Sequence, residues 1–381
     1  MTRIGFLLNF PVEYKGGINY LKNLFYALKK YRKDETQILL FIPPNLDKEN
    51  VSMFSAYAEL IPAKLLQRGT FSWLISRSTE ILLNFDPLVY LLLRKYKVEV
   101  ISHSNYVYPG KKVISINWIP DFQHMHYPHL WAKKQLDNEK KLHRSWVKNS
   151  RRIIVSSHDA FKDLLTAHPD AGNKVRVVHF VSQPGERSNH SGSSLKYGEG
   201  HFFYVPNQFW EHKNHMVVFK AMKLLKDRQI GITVYLSGLM NDYRNKNRHI
   251  ENLLEFVNDN GLTSHVQFLG LIPYADVLSL IHDSVAVINP SYFEGWSSTV
   301  EESKSMGKTI VLSDIPVHRE QAPANGYYFN PDDPDALASI LEKLWKGEMH
   351  GITHLTREQL KQDLERRTEQ FASDYLAAIN A

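Results

Sequence analysis

The chain has 381 residues, 43% of them hydrophobic and 23% charged, with 46 Lys+Arg against 40 Asp+Glu and no cysteine. That length exceeds the roughly 250–300 residues one hydrophobic core organises, so two domains are expected. Without cysteine there are no disulfides, thiolate nucleophiles or cysteine zinc sites, and no apolar run reaches the ~20 residues needed to span a bilayer.

The first stretch, "MTRIGFLLNFPVEYKGG", is too short in its apolar part and too soon acidic for a secretion signal, which points to a cytoplasmic protein. Strand-like runs then alternate with helical periodicity: "IGFLLN" from Ile4, a helix from about Gly17 to Lys30, "QILLFI" from Gln37, "VISHS" from Val100, "VISINW" from Val113, "RIIVSS" from Arg152 and "VRVVHF" from Val175. This alternation predicts βαβ units and parallel sheets. Residues 60–98 are the most apolar and carry Lys64, Arg68, Arg77, Arg94, Lys95 and Lys97. We read them as core helices with solvated ends, the alternative being amphipathic helices lying on a membrane. Residues 182–200, "SQPGERSNHSGSSLKYGEG", lose the pattern and mark a linker.

The pattern restarts with "FFYVP" from Phe202 and continues through "TVYLSG", "VQFLG", "VAVINP" and "TIVLS". The expected organisation is a doubly wound domain over 1–182, a linker over 183–200, a second doubly wound domain over 201–356, and a C-terminal helix over 357–381 that crosses back to the first domain. Charge divides along the same line. Residues 1–200 hold 29 Lys+Arg against 17 Asp+Glu, a balance of +12, and the remainder holds 17 against 23, a balance of −6. The basic residues are scattered and no nucleic-acid module is visible, so nucleic acid is not an expected partner. An anionic membrane surface or a phosphorylated acceptor suits the basic half better.

"PSYFEGWSSTVEESKSMGK", residues 290–308, reads as the loop and helix between two strands. Ser298 to Glu301 spells S-x-x-E, which predicts a capping box with Ser298 as the cap. The amides of Thr299 and Val300, at the positive end of the helix, then form an anion site suited to a phosphate. Glu302 points about 100° further round the helix and suits hydroxyl donors such as a ribose. Glu294, with Gly295 beside it, faces whatever lies on the other side of the phosphate.

"PSYFEGWSSTVEESKSMGKTIVLSD" resembles the E-x7-E signature of the retaining glycosyltransferases of family 4, which have the GT-B fold of two Rossmann-like domains facing a cleft. "GGINYLKNLFYAL", "VSSHDAFKDLL", "VPNQFWEHKNHMVVFKAM" and "FLGLIPYADVLSLIHDS" fit other segments of that family in the same order. The resemblance implies transfer of a hexose-type sugar from a nucleoside-diphosphate sugar to a glycan or lipid-linked glycan, with retention and with no metal or other cofactor, in surface polysaccharide or lipopolysaccharide synthesis. It further implies that Glu294 contacts the donor sugar, Glu302 the ribose and Lys213 the diphosphate. Where the family has an arginine, this chain has Gln208, a neutral amide that donates hydrogen bonds but cannot neutralise a leaving group.

Gly16 and Gly17 stand after the first strand, where backbone can come close to a phosphate or an acceptor. In "IPDFQHMHYPHLW" the acid after the strand is Asp121, a candidate to orient or deprotonate the acceptor, with Pro120 where many relatives have histidine. His124, His126 and His129 lack the spacing of a metal site. Asp333 and Asp335 read as a helix cap and a dipole partner rather than as metal ligands. Other frames for these residues are a nucleotide-sugar epimerase, a phosphorylase, or a sugar- or nucleotide-binding relative without activity.

Overall fold

A computed structural model describes residues 1–8, 15–83, 85–108, 112–184, 197, 200–241, 248–349 and 355–380. The linker expected over 183–200 lies outside the described residues except for 183, 184, 197 and 200. Two compact units are present, one of Met1–Phe122, Lys133–Val181 and Glu365–Ala381, the other of Gln123–Ala132 and Ser182–Leu364.

In the first unit, strands β1 (Thr2–Leu7), β2 (Thr36–Ile42), β3 (Glu59–Pro62), β4 (Val100–Ser102), β5 (Ile114–Ile119), β6 (Arg152–Val155) and β7 (Val175–Val177) form one sheet in the order β3-β2-β1-β4-β5-β6-β7. All its pairings are parallel. Around it run α1 (Lys15–Tyr31), α2 (Lys48–Ser55), α3 (Phe71–Leu83), α4 (Pro87–Lys95), α6 (Lys133–Asn149) and α7 (His158–Ala167), with α5 (Gln123–His126) grouped in the second unit.

The second unit repeats the plan with β8 (Phe203–Pro206), β9 (Val234–Ser237), β10 (Val266–Gly270), β11 (Val287–Asn289), β12 (Ile310–Ser313) and β13 (Gly326–Phe329) in the order β10-β9-β8-β11-β12-β13. Its helices are α8 (His215–Asp227), α9 (Arg248–Asp259), α10 (Tyr274–Asp283), α11 (Ser298–Met306), α12 (Pro316–Gln321) and α13 (Pro334–Trp345), followed by α14 (Arg357–Asn380). Alternation along each strand feeds two cores. Phe203, Val205, Val234, Leu236, Ile288 and Val311 pack on one face with residues of α8, α9 and α13. Tyr204, Tyr235, Val287, Ile310 and Leu312 pack on the other with residues of α10 and α11. A parallel sheet covered on both faces has to be apolar on both, which is why these strands read as continuous apolar runs.

Two strands escape the sequence reading. β3 lies at a sheet edge and buries only Ile61, and β13, "GYYF", closes the other sheet with its two tyrosines half-buried. Short edge strands need little apolar character.

Gln123–Ala132 departs from the linear order expected from the sequence, whereas the end of the C-terminal helix belongs to the first unit, in line with its expected crossing back. His126 and Tyr127, within Gln123–Ala132, pack on the ring of Phe293, at centroid distances of 5.0 and 6.2 Å. The end of α14 buries Phe371 and Tyr375 in the first unit, with Tyr375 stacked on Phe6 and Phe371 edge-on to Tyr20.

The expectation that residues 60–98 are core helices needs correction for α3. α4 does bury Val89 and Leu93, but α3 leaves Phe71, Leu74, Ile75 and Leu82 exposed. The cause is polar: Ser76, buried on the inner side of α3, donates to Asp86, which caps α4 by accepting from the amides of Leu88 and Val89. This bond turns the apolar stripe outward.

At the end of β9 the chain passes close to the loop after β8. Gly238 has φ +146°, and a Cβ there would overlap the carbonyl oxygen of Asn207. Gly238→Ala is therefore expected to cost at least about 2 kcal/mol, from backbone strain and overlap together. Urea unfolding checks this, and a variant within ~0.5 kcal/mol of the parent would show that the two loops can separate freely.

Candidate active site

In the second sheet the strand order reverses direction between β8 and β11, and ligands of such sheets bind beyond the carboxyl ends of the strands at that point. The loops leaving these two strands are stitched together. Asn207 Nδ2 donates to Asn289 Oδ1 at 3.2 Å, and the amide of Tyr292 donates to the carbonyl of His212 at 2.8 Å. Asn214, in the left-handed region at φ 52°, donates to the carbonyls of Pro290 and Pro331 at 3.2 and 2.9 Å. Asparagine tolerates that conformation better than most residues. Its position just before α8 ends the short turn Glu211–Lys213 and leaves Lys213 facing the β11 loop.

Lys213 Nζ then lies 2.7 Å from Glu294 Oε1, with side chains 13% and 9% exposed. Ser291 Oγ is also 2.7 Å from Glu294 Oε1 and 2.8 Å from Asn289 Oδ1, so its single proton serves one of the two at a time. Burial pushes the Glu294 carboxyl up, but Lys213, His318 and the hydrogen bonds from Lys213 and Ser291 outweigh burial and hold it below the usual range. The Glu294 carboxyl is therefore ionised.

His318 joins this group, and sequence reasoning missed it. The residue is fully buried on α12, its Nδ1 2.9 Å from the carbonyl of Ser313, with no hydrogen-bond partner for Nε2 among the described residues. Burial holds its pKa below the ordinary value despite Glu294 nearby, so the imidazole is neutral. Nothing in "SDIPVHRE" distinguishes it from a surface histidine; the burial comes from tertiary packing.

The capping expected at Ser298 is corrected by one residue. Ser297 caps α11, its Oγ accepting from the amide of Val300 at 3.4 Å, while Ser298 is the first helical residue and is exposed. The reason lies outside the helix: Asn289 Nδ2 donates to Ser297 Oγ at 2.8 Å, and Gln321 both accepts from the Ser297 amide (3.1 Å) and donates to its carbonyl (3.0 Å). Glu301 consequently does not close a capping box. Buried at 1% exposure, it accepts from Gln321 Nε2 at 3.1 Å and lies 3.4 Å from Lys304 Nζ. The anion site expected at Thr299 and Val300 loses the Val300 amide to this cap, while Thr299 itself is buried in the first turn.

Glu302 is 5% exposed and accepts from the Tyr274 hydroxyl at 2.8 Å. Burial pushes its pKa up to about 7, against the smaller opposing effect of that hydrogen bond. Gln208 does not simply replace a cation: its Oε1 accepts from the Leu239 amide at 2.7 Å, tying the β8 loop to the β9 loop. Asp333 caps α13 by accepting from the Ala336 amide, with Pro334 in the first turn, as expected.

Of the remaining candidates, Gly16, Gly17 and Asp121 belong to the first unit. Gly16 and Gly17 lie in the first turn of α1 rather than in a loop before it. Asp121 follows β5, near enough to Glu139 of α6 to add to the burial that raises the Glu139 carboxyl. His124, in the second unit, is buried with its ring edge-on to Trp131.

Known proteins resemble this chain in part of its sequence and in its fold. Residues 186–367 match the family described as Glycosyl transferases group 1. This is the second unit, almost end to end. The O-antigen chain mannosyltransferase RfbU of Salmonella typhimurium (strain LT2) is 23% identical over 209 residues, 55% of this chain, and the match spans about half (53%) of that relative's length. Anabaena Alr3699/HepE, solved in complex with UDP and glucose, aligns over all of both chains at a TM-score of 0.69 and 15% identity. A point mutant of TarM from S. aureus, solved with fondaparinux, alpha-GlcNAc-glycerol and UDP, aligns over all of both at 0.68 and 12%. The fold is that of GT-B proteins, two Rossmann-like parallel-sheet domains.

Glu302 gives the site a pH signature. Its folded pKa of about 7 lies above the ordinary 4.5, so the folded state holds the proton more tightly than the unfolded chain. Its contribution is fully present below about pH 4.5 and lost as the pH rises through 7, a swing of up to about 3 kcal/mol. Glu302→Gln is expected to be more stable than the parent at pH 8 and to converge with it at pH 4–5. Thermal melts across that range check the assignment; parallel curves at every pH would contradict it.

Proposed function

We propose that the protein is a retaining glycosyltransferase of family 4 that moves a hexose-type sugar from a nucleoside-diphosphate sugar to a glycan or lipid-linked glycan, without a metal ion, in the assembly of surface polysaccharide. The observation that carries this reading is the buried Lys213–Glu294 pair, at the reversal of strand order where the sheet binds ligands, with Glu302 eight residues further along on α11. The order of groups follows the length of a nucleotide sugar. Glu294 accepts from sugar hydroxyls, Lys213 and the first turn of α11 at Ser298 and Thr299 take the diphosphate, and Glu302 accepts from the ribose. The Gln208 carboxamide keeps its NH2 as a donor to the diphosphate while its oxygen holds Leu239. In the first unit, Asp121 is the residue offered to the acceptor hydroxyl, and Gly16 and Gly17 let backbone approach a phosphate.

The reaction follows from what these groups can do. Glu294, already bonded to Lys213 and Ser291, is occupied as a hydrogen-bond acceptor and is better suited to holding hydroxyls than to attacking the anomeric carbon. The acceptor oxygen then attacks from the face on which the diphosphate departs, and the leaving oxygen takes the acceptor's proton. With Gln208 in place of a cation, Lys213 carries more of the leaving-group charge.

Calorimetric titration with UDP, GDP, ADP, CMP and dTDP tests the reading. One nucleotide is expected to bind, equally well in EDTA, with proton release below pH 7, because ribose donors favour the ionised form of a carboxyl that is protonated there. Glu302→Gln should abolish the proton release. No binding by any of the five would defeat the proposal. In transfer assays with the matching donor, Glu294→Gln and Lys213→Met are each expected to lower kcat at least ~100-fold, the scale of losing one group that stabilises charge in the transition state. Rates near the parent's in either variant would remove that residue from the mechanism.

A further inference from the structure

The face of α3 has no role in the reading above. Phe71, Leu74, Ile75 and Leu82 are 78%, 51%, 38% and 79% exposed. At about 100° per residue, their positions fall within an arc of roughly 100° on one side of the helix. The rotation of the helix is fixed from the other side by the buried hydrogen bond from Ser76 to Asp86, so the stripe cannot turn inward without breaking a buried polar contact.

Charge in the same segment is mainly of one sign. Residues 60–98 hold six Lys/Arg and two acids. One acid, Asp86, is fully buried as the cap of α4, and the other, Glu80, is paired with Arg77. Arg68, Arg77, Arg94 and Lys95 are exposed, and on α4 the outward Leu91, 62% exposed, has Arg94 and Lys95 within one turn on the same face. Large apolar side chains on one face with arginine and lysine beside them fit the boundary layer of an anionic membrane, where long basic side chains reach back to the headgroups. Four side chains on one helix are few against the ~20–30 residues a side of a stable protein interface.

We infer that α3 seats the protein on an anionic lipid surface, with Phe71, Leu74, Ile75 and Leu82 entering between headgroups and acyl chains and Arg94 and Lys95 meeting the lipid phosphates. The inference is independent of the transferase reading, because lipid binding is measured without donor or acceptor. The test is sedimentation of the full chain with vesicles of phosphatidylcholine, alone or mixed with phosphatidylglycerol, at low and high salt. Partition to the mixed vesicles is expected, weakening with salt, and falling roughly tenfold or more in Phe71→Ser/Leu82→Ser. Both positions are exposed, so the fold of this variant, checked by its thermal transition, should be intact. Arg94→Gln/Lys95→Gln should weaken binding to the mixed vesicles. Absence of partition, equal partition to pure phosphatidylcholine, or parent-like binding by the serine variant would each overturn the inference. So would light scattering that shows a dimer which the serine variant breaks, since a second copy would then cover the stripe. Nucleotide binding measured in parallel separates failure of this surface from failure of the proposed reaction.

Discussion

The second unit is organised around two opposite charges held out of water. Bringing an ammonium and a carboxylate to 13% and 9% exposure is costly, and the attraction between them offsets that cost only where further hydrogen bonds and good geometry are present. Each supporting contact has this effect here. Ser291 adds a hydroxyl to Glu294, and the Asn207–Asn289, Tyr292–His212 and Asn214–Pro290 bonds hold the two loops at the separation that lets Lys213 reach. Such an arrangement needs β8 and β11 as neighbours, and a doubly wound sheet makes them so only at its reversal point.

The same loop and helix set two carboxyls to opposite states. Glu294 has a cation within 2.7 Å and lies below the usual range, whereas Glu302, buried with a tyrosine hydroxyl donating to it, is pushed up to about 7 by that burial. Divergent environments for two similar acids are how a single site separates their roles. Gln321 connects the two halves, since its carboxamide locks the backbone of Ser297, where the loop bearing Glu294 becomes the helix bearing Glu302.

The first unit spends its aromatic residues differently. Tyr20 and Trp118 stack at 4.4 Å, and His103 packs beside both and beside Tyr375 of α14. His103 lies after β4 at φ 52°, with Nδ1 2.8 Å from Ser102 Oγ and Nε2 2.9 Å from the Tyr20 hydroxyl. Burial lowers its pKa to about 3, so it is a neutral hydrogen-bonding member of the core. Through these rings the last turns of α14 complete a core whose strands all lie before residue 178.

By itself the sequence determined the elements. Apolar runs in alternation with helical periodicity specify parallel sheets, because buried strands must be apolar on both faces, and the spacing from Glu294 to Glu302 places one acid in a loop and the other on a helix. Local chemistry was legible to within a residue. Ser297 and not Ser298 caps α11, since Asn289 and Gln321, 8 residues before and 24 after, hold Ser297 in place. The tertiary structure alone decided which polar groups meet. His318 acquires its place beside Glu294 by burial, Gln208 turns out to brace Leu239, and α3 faces outward because of one buried serine. These are contacts between residues distant in the chain, and periodicity, which reports only the side of its own element a residue occupies, carries no information about them.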